Sequence, residues 1–96
     1  MKYDLIQTKE FEKWFSKQIK SVKDKISSRL KLLTDHGYFG MIRGLDKNLY
    51  EFKWKTGIRV YFTIKDNKII LLLIGGNKND QKKDITKAKK LQKEYF

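Results

Sequence analysis

The chain contains no cysteine. No disulfide framework, cysteine-based zinc site or thiol nucleophile is therefore available, and this usage fits a reducing cytoplasm. Its single histidine, His36, falls at the end of a predicted helix, where a structural use is favoured over catalysis. No cluster of His, Asp and Glu has metal-ligand spacing. No serine follows Ser28, which leaves the strand-rich half without the nucleophile of a Ser-His-Asp arrangement. The longest apolar run, Ile69 to Ile74, is far too short to span a bilayer, and no charged-then-apolar leader opens the chain. The expectation is a cytoplasmic protein with no membrane partner, metal or cofactor.

What is present is positive charge and aromatic bulk. Ninety-six residues suit a single domain over 1–96, and 40% hydrophobic residues with six Phe, five Tyr and two Trp argue for a folded core. The net charge of +12 attracts polyanions such as nucleic acid or an acidic partner protein. Of the 23 basic residues only Arg29, Arg43 and Arg59 are arginine. When nearly all positive charge is written as Lys, an Arg is a candidate for the planar, multi-donor head that only it provides. Arg29 lies in a helical stretch and reads as ordinary, whereas Arg43 and Arg59 lie in the strand-rich half.

Lys2 to Gln7 reads as a first strand, and Thr8 as the N-cap of a helix with Phe11, Trp14, Phe15 and Ile19 on one stripe. A second helix is predicted from Ser21 to Asp35, burying Val22, Ile26, Leu30 and Leu33 and stopped at His36-Gly37. Together the two form a helical hairpin. A loop with Gly40 and Gly44 follows, and the period then changes to two. Along Leu49–Lys55, Tyr50, Phe52 and Trp54 share one face, opposite Glu51, Lys53 and Lys55. Along Ile58–Ile64, Arg59, Tyr61 and Thr63 lie opposite Ile58, Val60, Phe62 and Ile64. Lys65 to Lys68 is a second turn, and Ile69–Ile74 reads as a strand covered on both faces. Gly75-Gly76-Asn77 breaks it, and Asp80 is placed to cap a basic last helix running to Phe96. The predicted fold is α+β: a helical hairpin on a mostly antiparallel four-stranded sheet, with a C-terminal helix over part of its other face.

That other face collects Glu51, Lys53, Lys55, Arg59, Tyr61 and Thr63 into a cationic groove. The chemistry such a set allows is done with cations and a phenol. RNA carries its own nucleophile, the 2′-hydroxyl, so phosphodiester cleavage needs alignment and stabilisation of charge on the phosphoryl oxygens. Arg suits that charge, and clustered cations shift the pKa of neighbouring groups that move protons. A solvated sheet face with a Glu51–Arg59 or Glu51–Lys53 cross-strand pair fits the same pattern, so composition and spacing leave both readings open.

The runs Leu49–Lys53, Gly57–Tyr61, Leu72–Gln81 and Asp84–Ala88, with Thr8–Trp14 after the first strand, resemble the RelE/ParE toxin superfamily. The likeness spans the whole chain and is strongest toward the HigB-like branch, the addiction module killer proteins. It implies a RelE-like fold and the toxin of a type II toxin–antitoxin system, held by a helix-turn-helix, HigA-like antitoxin in complexes that bind operator DNA. It implies a ribosome-dependent endoribonuclease (mRNA interferase) cleaving mRNA by 2′-OH attack. A ParE-like inhibitor of DNA gyrase, or a member that only binds antitoxin or nucleic acid, is the alternative. By position, Arg59 matches the strand arginine on the scissile phosphate and Lys53 a basic residue of the preceding strand. Lys78 falls where relatives place a basic or acid–base residue, and Tyr61 at an aromatic position. Glu51 stands where some ribosome-dependent relatives carry a basic residue, though Glu is usual in this branch. These five are the catalytic candidates; Lys55, Arg43, Lys82 and Lys83 are candidate RNA contacts.

Overall fold

The alternation in the second half of the chain builds the centre of a five-stranded sheet in the computed structural model, which describes residues 2–95. The strands are β1 (Asp4–Gln7), β2 (Ile42–Asp46), β3 (Leu49–Lys53), β4 (Ile58–Lys65) and β5 (Ile69–Asn77). Their order across the sheet is β1-β5-β4-β3-β2. β1 runs parallel to β5 and every other pair is antiparallel. The helices are α1 (Lys9–Ser16), α2 (Lys20–His36) and α3 (Gln81–Tyr95).

Four expectations need correction. The segment read as a glycine loop contains β2, an edge strand bulged between Gly44 and Asp46, so the sheet has five strands where four were predicted. β3 ends at Lys53 because a turn closed by Gly57 N–H donating to Trp54 O takes Lys55 out of the strand. The first helix stops at Ser16, and Ile19 stands at the N-cap of α2, 70% exposed and off the apolar stripe. Gly75 and Gly76 do not break β5, which continues to Asn77. The predicted helix end at Phe96 lies outside the described residues.

Those two glycines answer to the helices instead. Successive strand residues point to opposite faces. A Cβ at Gly75 would stand 2.2 Å from the Trp14 ring, and one at Gly76 would stand 2.0 Å from Asp84 Oδ2. Each helix layer thus comes down onto β5 where there is no side chain to meet it. Thr8 fastens the entry of α1 to the same strand. Its hydroxyl accepts from Phe11 N–H at 3.1 Å and lies 2.9 Å from both Leu72 O and Leu73 O. Gly37, with φ 69, closes α2 by donating to Leu33 O, while Tyr38 N–H reaches Leu32 O.

Both sheet faces are covered. On one side Phe11, Ile26, Leu30 and Leu33 of α1 and α2 pack against Phe52, Val60, Phe62, Ile70 and Leu72. On the other, Ala88 and Leu91 of α3 pack against Leu49, Tyr61, Leu71, Leu73 and Ile74. A bulge lets the second side take two successive residues: Tyr61 pairs with Ile74 and Phe62 with Leu72, so Leu73 is the extra residue on β5. Among the described residues no helix is long and apolar enough to cross a membrane.

Candidate functional site

Strand register places the polar residues on the α3 side in two rows. Arg43 of β2, Glu51 of β3 and Tyr61 of β4 lie in register across one; Lys53, Arg59 and Gly76 lie across the next. Over them stand Gln81 and Asp84 from the first turn of α3. The groove, expected to be partly covered by the last helix, is closed over most of its length: Glu51, Tyr61 and Thr63 are fully buried, because α3 covers more of the hairpin face than expected. Gln92 of α3 donates to the Thr63 hydroxyl, which itself lies 2.6 Å from Asn48 O.

Glu51 is the centre of the buried set. A carboxylate without solvent needs partners for both oxygens. Arg43 Nε lies 2.6 Å from Oε2, Gln81 Nε2 donates to both oxygens at 2.8 and 3.0 Å, and Arg59 Nε stands 3.7 Å from Oε1. The last is an ion pair too long for a hydrogen bond, and Arg59 Nε has no hydrogen-bond partner among the described residues. Arg43, expected as an RNA contact, spends its Nε on Glu51 and keeps 48% of its side chain exposed.

Arg59 is 9% exposed. Its Nη1 donates to Trp54 O at 3.1 Å and to Ile58 O at 2.9 Å, which fixes the guanidinium plane against the β3–β4 turn. Nη2 carries no hydrogen bond to the described residues. The third arginine, read from sequence as ordinary, supports the same turn from the opposite side. Arg29 stacks 4.2 Å over Trp54 and donates through Nη1 to Lys53 O at 2.9 Å and Met41 O at 3.2 Å. It thereby holds the strand end that carries Lys53 and the carbonyl that Arg59 uses.

Lys78 follows β5. Its N–H donates to Gly57 O at 2.8 Å, and its methylenes lie against Gly57, whose φ of 101 suits only glycine well. The Lys78, Lys55, Lys82 and Lys83 side chains are exposed, Lys53 is half-buried, and none of the five is in an ion pair among the described residues. Lys53, Lys55, Lys78 and the free edge of Arg59 belong to one end of the sheet. Lys82 and Lys83 continue the positive charge onto α3, where Lys83 turns toward a separate cleft of about 520 Å³ shared with Glu10 and Leu91.

Two titrations distinguish the covered groups. Burial, reinforced by Glu51 and Asp84, raises the Tyr61 pKa against the pull of Arg59 and Arg43. The phenol therefore stays protonated over the ordinary pH range, and its hydroxyl is buried without a partner among the described residues. Burial also raises the Asp84 pKa, with Asp80 adding to the effect and Lys83 and Lys87 opposing it. Neither Gln81 nor Asp84 was a candidate from sequence. The signal was the spacing Gln81, Asp84, Ile85, Ala88, which puts both polar groups on the edge of the helix's buried stripe. Among the described residues no group of three or more His, Cys, Asp or Glu is placed to hold a metal ion.

The architecture is that of RelE toxins. Free E. coli RelE, solved as a mutant, superposes with a TM-score of 0.73 over 94% of this chain and 97% of that one, at 19% identity. The toxin in the intact E. coli RelBE toxin–antitoxin complex superposes with a TM-score of 0.64 over 78% of this chain and 95% of that one, also at 19% identity. Residues 13–95 match the family of phage derived Gp49-like proteins, and the chain belongs to that family. It is also 37% identical over 91 residues to an uncharacterized protein of Haemophilus influenzae, covering 91% of this chain and 90% of that protein.

Proposed function

We propose that this protein is the toxin of a type II toxin–antitoxin pair, of the HigB-like kind, and that it cleaves mRNA on the ribosome. One observation carries the reading. Arg59 is clamped by two backbone carbonyls and the buried Glu51, with Nη2 unpaired among the described residues at the sheet end that carries Lys53, Lys55 and Lys78. A guanidinium held in this way suits a phosphate, because its donors are oriented before the ligand arrives. In the proposed reaction the 2′-oxygen attacks the adjacent phosphorus and the bond to the 5′ oxygen breaks. The products are a 2′,3′-cyclic phosphate and a 5′-hydroxyl. Arg59 binds the phosphoryl oxygens, Lys53 and Lys78 add point charges, and Glu51 with Gln81 orients Arg59. Tyr61, protonated and covered, is a wall of the site. Lys55, Arg43, Lys82 and Lys83 hold the RNA backbone outside it.

The partner in this reading is a HigA-like helix-turn-helix antitoxin, and the complex binds operator DNA. The fold likeness to the toxin of RelBE supports an antitoxin partner. Induced expression followed by mapping of mRNA 5′ ends tests the reading: cuts within translated codons are expected. Intact mRNA with a supercoiling defect would replace it with a ParE-like action on gyrase. Arrest with neither, or no arrest, would leave a binding-only member. Arg59→Ala should abolish growth arrest while still binding antitoxin, and a fully toxic Arg59→Ala overturns the site.

A further inference from the structure

The reaction needs a group to take the proton of the attacking 2′-hydroxyl, and the catalytic candidates supply none. Lys53 and Lys78 are ammonium groups, Tyr61 is buried in its protonated form, and both oxygens of Glu51 are committed to Arg43 and Gln81. One carboxylate, over the cross-strand neighbour of Arg59, is uncommitted. Asp84 makes no ion pair and no hydrogen bond among the described residues, although the chain carries twelve excess positive charges.

Its position is reserved by the backbone. Asp84 Oδ2 occupies the space above Gly76 so closely that a Cβ there would come within 2.0 Å. Gly76 is the cross-strand neighbour of Arg59, so the carboxylate and the guanidinium stand over adjacent strands on one face. Asp84 is half-buried, so water is partly excluded yet a ligand on that face can reach it. We propose that Asp84 accepts the 2′-hydroxyl proton, a role that rests on the endoribonuclease reading. As the 2′-oxygen bonds to phosphorus, its proton passes to an Asp84 carboxylate oxygen. As the bond to the 5′ oxygen breaks, that oxygen takes a proton from the Lys53 or Lys78 ammonium; after release Asp84 gives its proton to water and the lysine takes one back, so no net proton is gained or lost.

The groups surrounding Asp84 set how it titrates. Tyr61 of β4 feels its charge, and Arg59 of β4 pairs with Gly76 beneath it; Glu51 of β3 and Arg43 of β2 lie beyond Tyr61 in the same row. Asp80 precedes it, and Lys83 and Lys87 flank it on α3; β5 contributes no titratable residue. Partial burial and Asp80 make the carboxylate a better proton acceptor than a free aspartate, against the two lysines. A raised carboxyl pKa also means that the ionised form is disfavoured by folding. Replacing Asp84 by its neutral isostere therefore removes a folding penalty.

The test uses purified toxin on ribosomes programmed with mRNA, with cleavage rate measured across pH. Wild type should gain rate with rising pH along an acidic limb. Asp84→Asn should lose that limb and fall in rate by about 100-fold or more, the usual worth of a positioned base. Its melting temperature should be unchanged or higher and antitoxin binding intact, which a merely structural role does not predict. Asp84→Glu keeps a carboxyl at a different reach, so its acidic limb should move. Wild-type cleavage with an unchanged profile in Asp84→Asn, or an unmoved limb in Asp84→Glu, overturns the proposal. If Arg59→Ala is inactive while Asp84→Asn is fully active, this inference fails and the endoribonuclease reading stands. If neither variant loses activity, the reading itself fails.

Discussion

The two faces of one sheet are buried to a similar depth and built on opposite principles. Under α1 and α2 the contacts are almost wholly apolar. Phe62 stacks on Phe52 with centroids 4.3 Å apart, on Tyr50 at 5.5 Å and on Phe39 at 6.0 Å. Under α3 the apolar layer of Leu49, Leu73, Ala88 and Leu91 is interrupted by Arg43, Glu51, Arg59, Thr63, Gln81 and Asp84. Among the described residues the two buried side-chain polar atoms without a hydrogen-bond partner, Arg59 Nε and Tyr61 Oη, both belong to this second face. Burying polar groups costs free energy unless every partner is supplied. The first face is thus suited to stabilising the fold. The second holds charged groups in one geometry at some expense of stability, as expected where a surface serves chemistry.

That contrast can be broken first at its apolar side. Phe62→Ala removes the ring on which three others stack and should cost about 3–5 kcal/mol, the usual range for a buried Phe. Chemical denaturation should show a much lower midpoint, or no cooperative transition. A loss under 1 kcal/mol would mean that the aromatic layer is not the main core. The adjacent glycines sharpen the comparison, because one substitution at each strikes a different face. Gly75→Ala drives a methyl into the Trp14 ring, which can move only with α1. It should cost about 1–3 kcal/mol, the range for overpacking. Gly76→Ala meets the end of the Asp84 side chain, which can swing away. Its stability should fall by less than that of Gly75→Ala, while the proposed mRNA cleavage should drop because Asp84 is displaced. Equal melting temperatures for the two variants would contradict the assignment of the faces.

Legibility in the sequence followed how local each cause is. The period-two patterns around Phe52 and Phe62 fixed two central strands and put Lys53 and Arg59 on one face. They did not fix the register, which opposes Glu51 to Tyr61 and Lys53 to Arg59 where the pattern alone also allows a Glu51–Arg59 cross-strand pair. The Asp66-Asn67 turn was equally visible, both residues taking the positive φ their side chains tolerate. β2 was hidden because an edge strand interrupted by Gly44 carries neither alternation nor a continuous apolar run. Gly75-Gly76 was misread because glycine pairs mark turns locally, whereas here the cause is the approach of Trp14 and Asp84 from distant segments. In the site, Arg59 stood out by residue type and strand position. Gln81, Asp84 and the support from Arg29 could not, since each depends on how a helix docks. The same docking turns Glu51 and Tyr61 from displayed groups into covered ones.

The smallest predicted effect, at Tyr61, isolates the cost of the polar face most cleanly. Its hydroxyl is buried without a partner among the described residues, so Tyr61→Phe removes a desolvated polar group and leaves the ring in the α3 core. Stability at neutral pH should rise by up to about 1 kcal/mol, below the full desolvation penalty because a small void replaces the oxygen. The pH dependence gives the sharper sign. Burial raises the phenol pKa in the folded state, so the native protein holds its proton where the unfolded chain has begun to lose it. The unfolded state then binds fewer protons, and stability must fall as pH rises from about 10, the ordinary tyrosine value, toward the folded pKa. Tyr61→Phe should flatten that alkaline loss in melts recorded from neutral pH upward, and should leave mRNA cleavage intact. If the variant melts lower at neutral pH and keeps the full alkaline slope, the hydroxyl has a partner in solution, and this part of the second face is as well satisfied as the first.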